Sequence, residues 1–411
     1  MNILYVNHYA GSPSYGMEYR PFYLAREWVR AGHKVLIVAA NESHIRNVTP
    51  YLSNENRLDE VIEGVSYAWL RTPPYDGNGV ARVWNMLSFV RQLYSYARNF
   101  AAGFKPDVVI ASSTYPMDIY AAKRIARLAR AKLVFEVHDL WPLSPMELGN
   151  MSKWHPFIML VQAAEDYAYR NADVVVSMLP KVHDYMASRG LDLKKLHIVP
   201  NGISPDEWQE SSGASLAVQA SVLLELKAKG MKIVGYAGTH GVSNALDTFI
   251  DAAAVMKADE DVVFVLFGKG PEKSRLEMRA RSEGLANVMF FDPVSKQQIP
   301  TLLSFFDVAY IGWNRQPLYR FGIAPNKLMD YMMAGCVVLH SVSAGNDSVG
   351  EAKCGMTVEP ENVVQVVDGL RNLLALPANE RKKMGERGRS FVLREHTYPV
   401  LAQRFFDSFA G

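Results

Sequence analysis

Cysteine is scarce in this chain of 411 residues, which has only Cys336 and Cys354. The two residues do not have the spacing of a metal-binding pair, and both lie in apolar or glycine-rich surroundings. We therefore expect reduced, packed thiols in a reducing compartment, and neither a disulfide framework nor a zinc site.

The chain also lacks a strong net charge, a membrane-length apolar run and a leader-like N-terminus. Its formal charge of +2 is too small for a nucleic-acid-binding field. The apolar run Pro156–Ala164 is about half the length needed to cross a bilayer. The N-terminus enters the strand-like Ile3–Val6 without a basic segment, unlike a signal peptide. We expect a cytoplasmic protein, either soluble or peripheral on the inner face of the plasma membrane.

Two motifs of other enzyme classes are missing or misplaced. The glycine pattern Gly-x-Gly-x-x-Gly is absent, which counts against a dinucleotide oxidoreductase. Asp259-Glu-Asp261 matches an Asp-x-Asp metal motif, but it precedes a predicted strand where an active site would follow one. We interpret it as a charged turn and predict no metal site.

Short apolar runs alternate with helical patterns along the whole chain, which predicts parallel sheets with crossover helices. The predicted strands are Ile3–Asn7, Val35–Ala39, Val108–Ala111, Leu133–Val137, Val174–Ser177, His197–Val199, Ile233–Ala237, Val262–Phe267, Val288–Phe291, Val308–Ile311 and Val337–His340. The series restarts at Ile233, after a stretch Ser204–Ser221 that resembles a linker. The fold class is therefore α/β, with two facing Rossmann-like domains and a deep cleft between them.

The segment Phe321–Gly335 is the most informative for function. It predicts a helix with Pro325 at its first position and Gly335 at its C-terminal cap. The amides of the first turn and Lys327 would hold a diphosphate, and Asp330, one turn deeper, would accept hydrogen bonds from a ribose diol. The alternative is an amphipathic helix with a surface Lys/Asp pair.

This segment resembles the acid-bearing signature of the family-four retaining glycosyltransferases. Asp330 matches the second of two acids spaced eight residues apart, whereas Gly322 stands where the first would be. The residue pattern from Gly322 to Met332 is similar to that of one branch of bacterial surface-polysaccharide transferases, the WbuB-type N-acetyl-L-fucosamine transferases. The resemblance extends over essentially the whole chain.

The resemblance implies the GT-B arrangement and assigns a role to each domain. Residues 1–205 would bind the acceptor, residues 206–392 would bind the nucleotide sugar, and residues 393–411 would form a helix returning to the first domain. The implied donor-binding residues are Gly238, Thr239, His240, Gly268, Gly270, Val294, Arg320, Pro325, Asn326, Lys327 and Asp330. The glycines and the turn at Val294 are equally typical of ordinary strand–helix packing. His240 stands where the family often has basic residues, so Lys327 and Arg320 would carry more of the charge.

On the acceptor side, the loop Gly11–Gly16 follows the first strand and resembles the family loop that closes over the sugar. Gly11, Tyr15 and Gly16 are its candidate residues, with an ordinary strand–helix connection as the alternative. His138 ends a strand beside Asp139 and matches a histidine found in many family members. A lone strand-end histidine is more often structural. The position of His138 at the predicted cleft nevertheless favours an active-site role. We take His138 and Lys327 as the candidate catalytic residues, and Asp139 as a further candidate on the acceptor side.

Two predicted helices of the first domain are candidates for membrane contact. Lys123, Arg124, Arg127 and Arg130 share one helix face, and the helix Val83–Phe100 would bury Val83, Leu87, Val90 and Ala97 while leaving Phe89 and Tyr96 exposed. Such faces meet anionic headgroups in some proteins. The alternative is a solvated basic face and a packed core helix.

The predicted activity is transfer of a hexosamine-type sugar from a UDP-sugar to a lipid-diphosphate-linked saccharide in O-antigen or capsule synthesis. The resemblance implies retention of anomeric configuration, and no cofactor is expected beyond the donor. Two alternatives stay open: a non-hydrolysing UDP-sugar epimerase, and a non-enzymatic two-lobed binding protein.

Overall fold

The computed structural model describes residues 1–77, 79–210 and 217–410. The chain divides into two compact units. Unit 1 comprises Met1–Asn201 together with the final helix, and unit 2 comprises Gly202–Thr397. Among the described residues, no helix combines the length and apolarity needed to span a membrane.

Unit 1 is built on an eight-stranded sheet of order β3-β4-β2-β1-β5-β6-β7-β8. Its strands are β1 Asn2–Val6, β2 Lys34–Ala40, β3 Arg57–Ile62, β4 Val65–Leu70, β5 Val108–Ala111, β6 Lys132–Val137, β7 Val174–Ser177 and β8 Leu196–Ile198. All neighbouring strands pair in parallel except β3 with β4. Buried β-branched and aliphatic runs form the central strands because both sheet faces are covered by helices.

The helices of unit 1 connect these strands. They are α1 Arg20–Arg30, α2 Val80–Asn99, α3 Ile119–Ala129, α4 Leu143–Glu147, α5 Pro156–Asn171, α6 His183–Ser188 and, from the end of the chain, α16 Tyr398–Ala410. Helix α16 packs on α1, where the Trp28 indole donates to the Ala402 carbonyl at 2.9 Å. The Trp28 ring also meets Phe405 and Phe409 edge-on.

Unit 2 has a six-stranded, wholly parallel sheet of order β11-β10-β9-β12-β13-β14. Its strands are β9 Lys232–Ala237, β10 Val262–Phe267, β11 Val288–Phe291, β12 Val308–Gly312, β13 Val338–Ser341 and β14 Gly355–Val358. Its helices are α7 Pro205–Glu210, α8 Ala217–Ala228, α9 Leu246–Val255, α10 Lys273–Ser282, α11 Ile299–Leu303, α12 Asn326–Met333, α13 Ser348–Ala352, α14 Val363–Ala375 and α15 Ala378–Glu395.

The predicted fold class, α/β with two Rossmann-like domains, is confirmed. Each predicted strand is present within one or two residues at its ends, but β3, β4 and β14 were missed. The linker prediction is partly wrong, because helices α7 and α8 occupy most of Ser204–Ser221. Its residues 211–216 lie outside the described part of the chain.

The predicted burial of helix α2 is largely wrong, although Ala97 is buried as expected. Phe89, which we expected to be exposed, is fully buried, whereas Leu87 is 36% exposed and Tyr96 is half-buried. The inward stripe is Met86, Phe89, Leu93 and Ala97. Because apolar residues lie on both sides of this helix, the sequence periodicity could not decide which side faces the interior.

Candidate active site

The N-terminal end of α12 forms the centre of the candidate donor site in unit 2. Pro325 is the N-cap, with extended backbone angles (φ −76°, ψ 128°), so the prediction that it is the first helical residue is off by one position. Gly335 follows the C-terminal cap Ala334 with φ +74°, a conformation that favours glycine. The first-turn amides of a helix carry partial positive charge and suit an anionic ligand.

Lys327 lies in this first turn and is held only by neutral groups. Its Nζ donates to the Tyr236 hydroxyl at 3.0 Å and to the Asn244 side-chain oxygen. Burial lowers the pKa of Lys327 to about 8. Among the described residues, no carboxylate lies within ion-pairing distance of this ammonium. The side chain therefore presents a partly buried cation that still needs a counterion.

Tyr236 and Asn244 also fix the loop that follows β9. The Tyr236 hydroxyl donates to the Thr239 carbonyl at 2.7 Å, and the Asn244 amide donates to the same oxygen at 3.0 Å. The Lys327 ammonium lies over the Tyr236 and Trp313 rings, at 4.9 and 5.7 Å from their centroids. Sequence reasoning missed Tyr236, Asn244 and Trp313, because nothing in their local pattern links them to Lys327.

The predicted glycines bring two loops into close contact beside Lys327. A Cβ on Gly268 would lie 1.9 Å from the Gly238 carbonyl oxygen, and one on Gly270 would lie 2.4 Å from the His240 carbonyl oxygen. A Cβ on Gly238 would lie 3.4 Å from the Lys327 Nζ. Gly268 and Gly270 thus allow the two loops to pack closely. Because Gly238 has no side chain, its own backbone stays accessible next to the Lys327 ammonium.

His240 does not supply the positive charge that its position suggested. Its ring is fully buried, and burial, with Lys273 and Lys327 nearby, lowers the pKa of His240 to about 4. The ring is therefore neutral at physiological pH. The loop after β10 covers the ring at Gly268, while the preceding Thr239 is exposed.

Asp330 lies one turn after Lys327 on the same helix and is half-buried. Burial raises the pKa of Asp330 to about 6, with Lys296 opposing the shift and Glu207 adding to it. No protein donor bonds its carboxylate among the described residues. Lys296 is paired with Glu207 at 2.5 Å. The Asp330 oxygens can accordingly accept two hydrogen bonds from a ligand.

The other predicted donor contacts differ in how accessible they are. Val294 follows β11 and packs against the core, and Asn326 is exposed in the first turn of α12. Arg320 is exposed, donates to the Pro317 carbonyl at 2.6 Å and stacks over Phe321. Nothing in the structure brings Arg320 to Lys327, so its proposed role stays a prediction.

Gly322 occupies the place of the missing family acid. Its φ of +104° lies where a side chain is strained, and Asn346 clamps the next residue through both the N–H and the carbonyl of Ile323 at 2.8 and 3.1 Å. This backbone conformation accounts for a glycine in place of an acid.

In unit 1, His138 ends a buried polar network below the β5 and β6 strand ends. Glu136 accepts from Arg20 at 2.8 Å, from the Tyr5 hydroxyl at 2.5 Å and from the Ser112 hydroxyl at 2.6 Å. The His138 Nε2 lies 2.8 Å from the Ser112 Oγ and 3.4 Å from Glu136. Because Ser112 donates to Glu136, the network assigns a proton to Nε2.

The charge of Glu136 decides the protonation of His138. Burial lowers the pKa of His138, but the attraction of Glu136 outweighs it, and the net pKa is raised. Burial likewise raises the pKa of Glu136, yet Arg20 and His138 hold it well below its usual range. The raised pKa favours the protonated form of His138, which can donate a hydrogen bond. Asp139 beside it is exposed.

The loop Gly11–Gly16 is a closed turn rather than an open flap. A Cβ on Gly11 would lie 1.8 Å from the Gly16 carbonyl oxygen, and Gly16 has φ +99°. The buried Arg46 donates to the Ala10 carbonyl at 2.6 Å. The Tyr15 hydroxyl bonds Glu60 at 3.1 Å, so this side chain is anchored within unit 1.

Sequence reasoning also missed Asp118, at the β5 end. It is buried, accepts from the Ser113 amide at 3.1 Å, and its pKa is raised to about 7 by burial.

The acids of the Asp259-Glu-Asp261 motif lie in a charged turn, where Asp259 pairs with Arg371 and Asp261 with Lys232. Within the described ranges, no three His, Cys, Asp or Glu side chains group as metal ligands.

Two protein-family models match the chain, and together they span most of it. The glycosyl transferase 4-like domain covers residues 16–202, and glycosyl transferases group 1 covers residues 225–391. The chain therefore belongs to the glycosyltransferases that combine these two domains. The Lys327 and Asp330 helix falls in the second match, and the His138 network falls largely in the first.

Relatives and solved structures agree with this membership. The chain is 26% identical over 280 residues to the putative colanic acid biosynthesis glycosyl transferase WcaI of Escherichia coli K12, covering 67% of this chain and 68% of that protein. Its fold is similar to Anabaena HepE in complex with UDP-glucose (TM-score 0.67, 13% identity, 100% and 99% of the two chains). It is also similar to WaaG, a glycosyltransferase involved in lipopolysaccharide biosynthesis (TM-score 0.66, 14% identity, all of both chains).

Proposed function

We propose that this glycosyltransferase uses a UDP-sugar donor bound at the N-terminal end of α12. The observation that carries the proposal is that one helix holds both a cation without a counterion and a carboxylate without a hydrogen-bond donor. The Lys327 ammonium has only neutral partners, and the Asp330 carboxylate has no described protein donor. A nucleoside diphosphate satisfies both groups at once, with its phosphates at Lys327 and the helix amides and its ribose diol at Asp330.

Within this proposal, the chemistry proceeds with retention of anomeric configuration. The bond from the sugar C1 to the diphosphate oxygen breaks, and a bond from an acceptor hydroxyl to C1 forms on the same face. The hydroxyl proton passes to the departing diphosphate, so protons and charges balance without a protein nucleophile. Lys327 and the α12 amides stabilise the charge that develops on the leaving group. His138 contributes as a hydrogen-bond donor toward the acceptor.

The substrates are proposed by analogy, because the residues above recognise a nucleotide and not a particular sugar. The WbuB-type resemblance makes UDP-N-acetyl-L-fucosamine the first donor to test. The names of WcaI and WaaG favour an acceptor in surface-polysaccharide synthesis, which we propose to be a lipid-diphosphate-linked saccharide at the cytoplasmic face of the inner membrane. The buried, unpaired Cys336 and Cys354 suit that reducing side.

The test is to incubate the full chain with radiolabelled UDP-hexosamines and a short-chain lipid-diphosphate saccharide. We expect label to enter the lipid acceptor and the product to keep the donor's anomeric configuration by NMR. Asp330→Ala should lose this transfer, whereas Asp139→Asn, outside the donor site, should retain UDP binding. Isomerised UDP-sugar without transfer would mean an epimerase, and binding with neither reaction would mean a binding protein.

A further inference from the structure

Helix α2 carries a continuous stripe of side chains that face solvent. The stripe consists of Val80, Trp84, Leu87, Arg91, Tyr94 and Arg98. At about 100° per residue these six positions fall within an arc of about 80° on one side of the helix. Trp84 is 61% exposed and Tyr94 is 47% exposed, although large apolar side chains in such a row are normally buried. We call these six residues the α2 stripe.

The neighbouring helix α3 extends the α2 stripe. The Arg124 guanidinium lies 4.3 Å from the centroid of the Tyr94 ring, and Leu128 and Arg127 are exposed on α3. Our prediction of one four-residue basic face is therefore only half right. Arg124 stacks on Tyr94, and Lys123 donates to the Asn171 carbonyl at 3.0 Å, while Arg127 and Arg130 face solvent.

The segment that carries the stripe is rich in positive charge. Residues 77–135 contain nine Lys and Arg but only Asp107 and Asp118, a difference of +7. Asp107 accepts the Asn2 amide, and Asp118 is buried. Within the described part of the chain, no ion pair joins Arg91, Arg98 or Arg127 to a carboxylate.

We infer that unit 1 docks on an anionic lipid bilayer through the α2 stripe and the adjoining end of α3. Trp84, Leu87 and Tyr94 would enter the headgroup boundary, with Arg91, Arg98 and Arg127 on lipid phosphates. A second copy of this chain fits poorly, because a symmetric contact would bring together two copies of the same arginine-bearing surface. The inference deepens the proposed function, because it gives the enzyme a surface for reaching a lipid-linked acceptor. The biological role of the docking rests on the proposed function, whereas the docking itself does not.

Helix α10 of unit 2 provides a matched control surface. It also exposes an apolar side chain, Met278, among arginines. However, Arg275 and Arg279 are paired with Asp247, at 2.6 and 3.0 Å. This surface combines apolar exposure with neutralised charge, so it should not bind the bilayer.

The experiment is co-sedimentation of the full chain with vesicles of phosphatidylglycerol and phosphatidylcholine, or of phosphatidylcholine alone. We expect binding to the anionic vesicles only, and less of it at high salt. Because each arginine contributes about 1 kcal/mol near such a surface, Arg91→Ser with Arg98→Ser should weaken partitioning by roughly 25-fold. Trp84→Ser should weaken it by roughly fivefold or more, and Met278→Ser should leave it unchanged.

Trp84→Phe separates insertion from mere proximity. This variant should still pellet with anionic vesicles, while tryptophan quenching by brominated lipids falls relative to the parent. Parent-like pelleting of the Trp84→Ser and double-arginine variants, or equal binding to both vesicle types, would overturn the inference. A concentration-dependent dimer that Trp84→Ser abolishes would overturn it in favour of a second copy. UDP calorimetry on the same variants should be unchanged, so a failure of donor binding remains distinguishable from a failure of docking.

Discussion

Lys327 gives the donor site a pH dependence that can be worked out from its surroundings. Burial lowers its pKa to about 8, and only Tyr236, Asn244 and two aromatic faces contact the ammonium. A bound diphosphate favours the charged form and raises this pKa again. The contribution of Lys327 to UDP affinity should therefore be nearly constant below about pH 7 and should fall as the free lysine loses its proton around pH 8. If the pKa in the complex exceeds 10, the loss between pH 7 and pH 9 is about tenfold, or about 1.4 kcal/mol.

The assay is calorimetric titration with UDP at pH 7, 8 and 9, alongside Lys327→Met. The variant removes the charge and keeps the length, so it should bind UDP about 1.5–3 kcal/mol more weakly at pH 7. It should also lose the lysine part of the pH dependence, since any slope left in it comes from UDP or other groups. Equal slopes in parent and variant, or flat affinity in the parent, would refute the assignment of Lys327 to the diphosphate.

Four further outcomes are expected. Because the pKa of Asp330 is about 6, UDP affinity should decrease below pH 6 more steeply in the parent than in Asp330→Asn, where any remaining decrease comes from UDP or other groups, as calorimetry at pH 5 and 7 can establish. Transfer activity should survive EDTA, since we assign the charge at the diphosphate to Lys327 and amides; loss reversed only by added Mg²⁺ or Mn²⁺ would contradict this. Glu136→Gln should destabilise the fold by about 3–5 kcal/mol in urea unfolding, because it leaves the buried Arg20 unpaired, and by NMR it should lower the pKa of His138. Gly268→Ala should lower the melting temperature of unit 2, because its Cβ would meet the Gly238 carbonyl, whereas Gly103→Ala, with open space around it, should not.

The fold was largely predictable because buried parallel strands have a distinctive local sequence pattern. Runs such as Val35–Ala40 and Val262–Phe267 are apolar throughout, as strands covered on both faces must be. Two of the three missed strands, β3 and β14, lie at sheet edges, and β4 lies next to β3. Strand β3 mixes Arg57, Asp59 and Glu60 with apolar residues, and β14 is four residues long and only partly buried. Neither carries a pattern distinct from a loop.

The candidate site was predictable only where one segment holds it. Lys327 and Asp330 share a helix, so spacing placed them on the same side. Tyr236 and Asn244 come to Lys327 from 91 and 83 residues away, which no local pattern records. The neutral state of His240 depends on burial under a loop that follows β10, and the orientation of α2 depends on which of its two apolar sides faces the interior.

The central claim, that α12 holds a nucleoside diphosphate with its ribose at Asp330, is most directly tested by a double-mutant cycle on protein and ligand. UDP and 2′,3′-dideoxy-UDP would each be titrated by calorimetry into the parent and Asp330→Ala. If Asp330 binds the diol, removing either partner costs about 1.5–3 kcal/mol, and removing the second after the first costs little more. The coupling energy should then be close to the single loss. Additive losses, with no coupling between the carboxylate and the diol, would contradict the account.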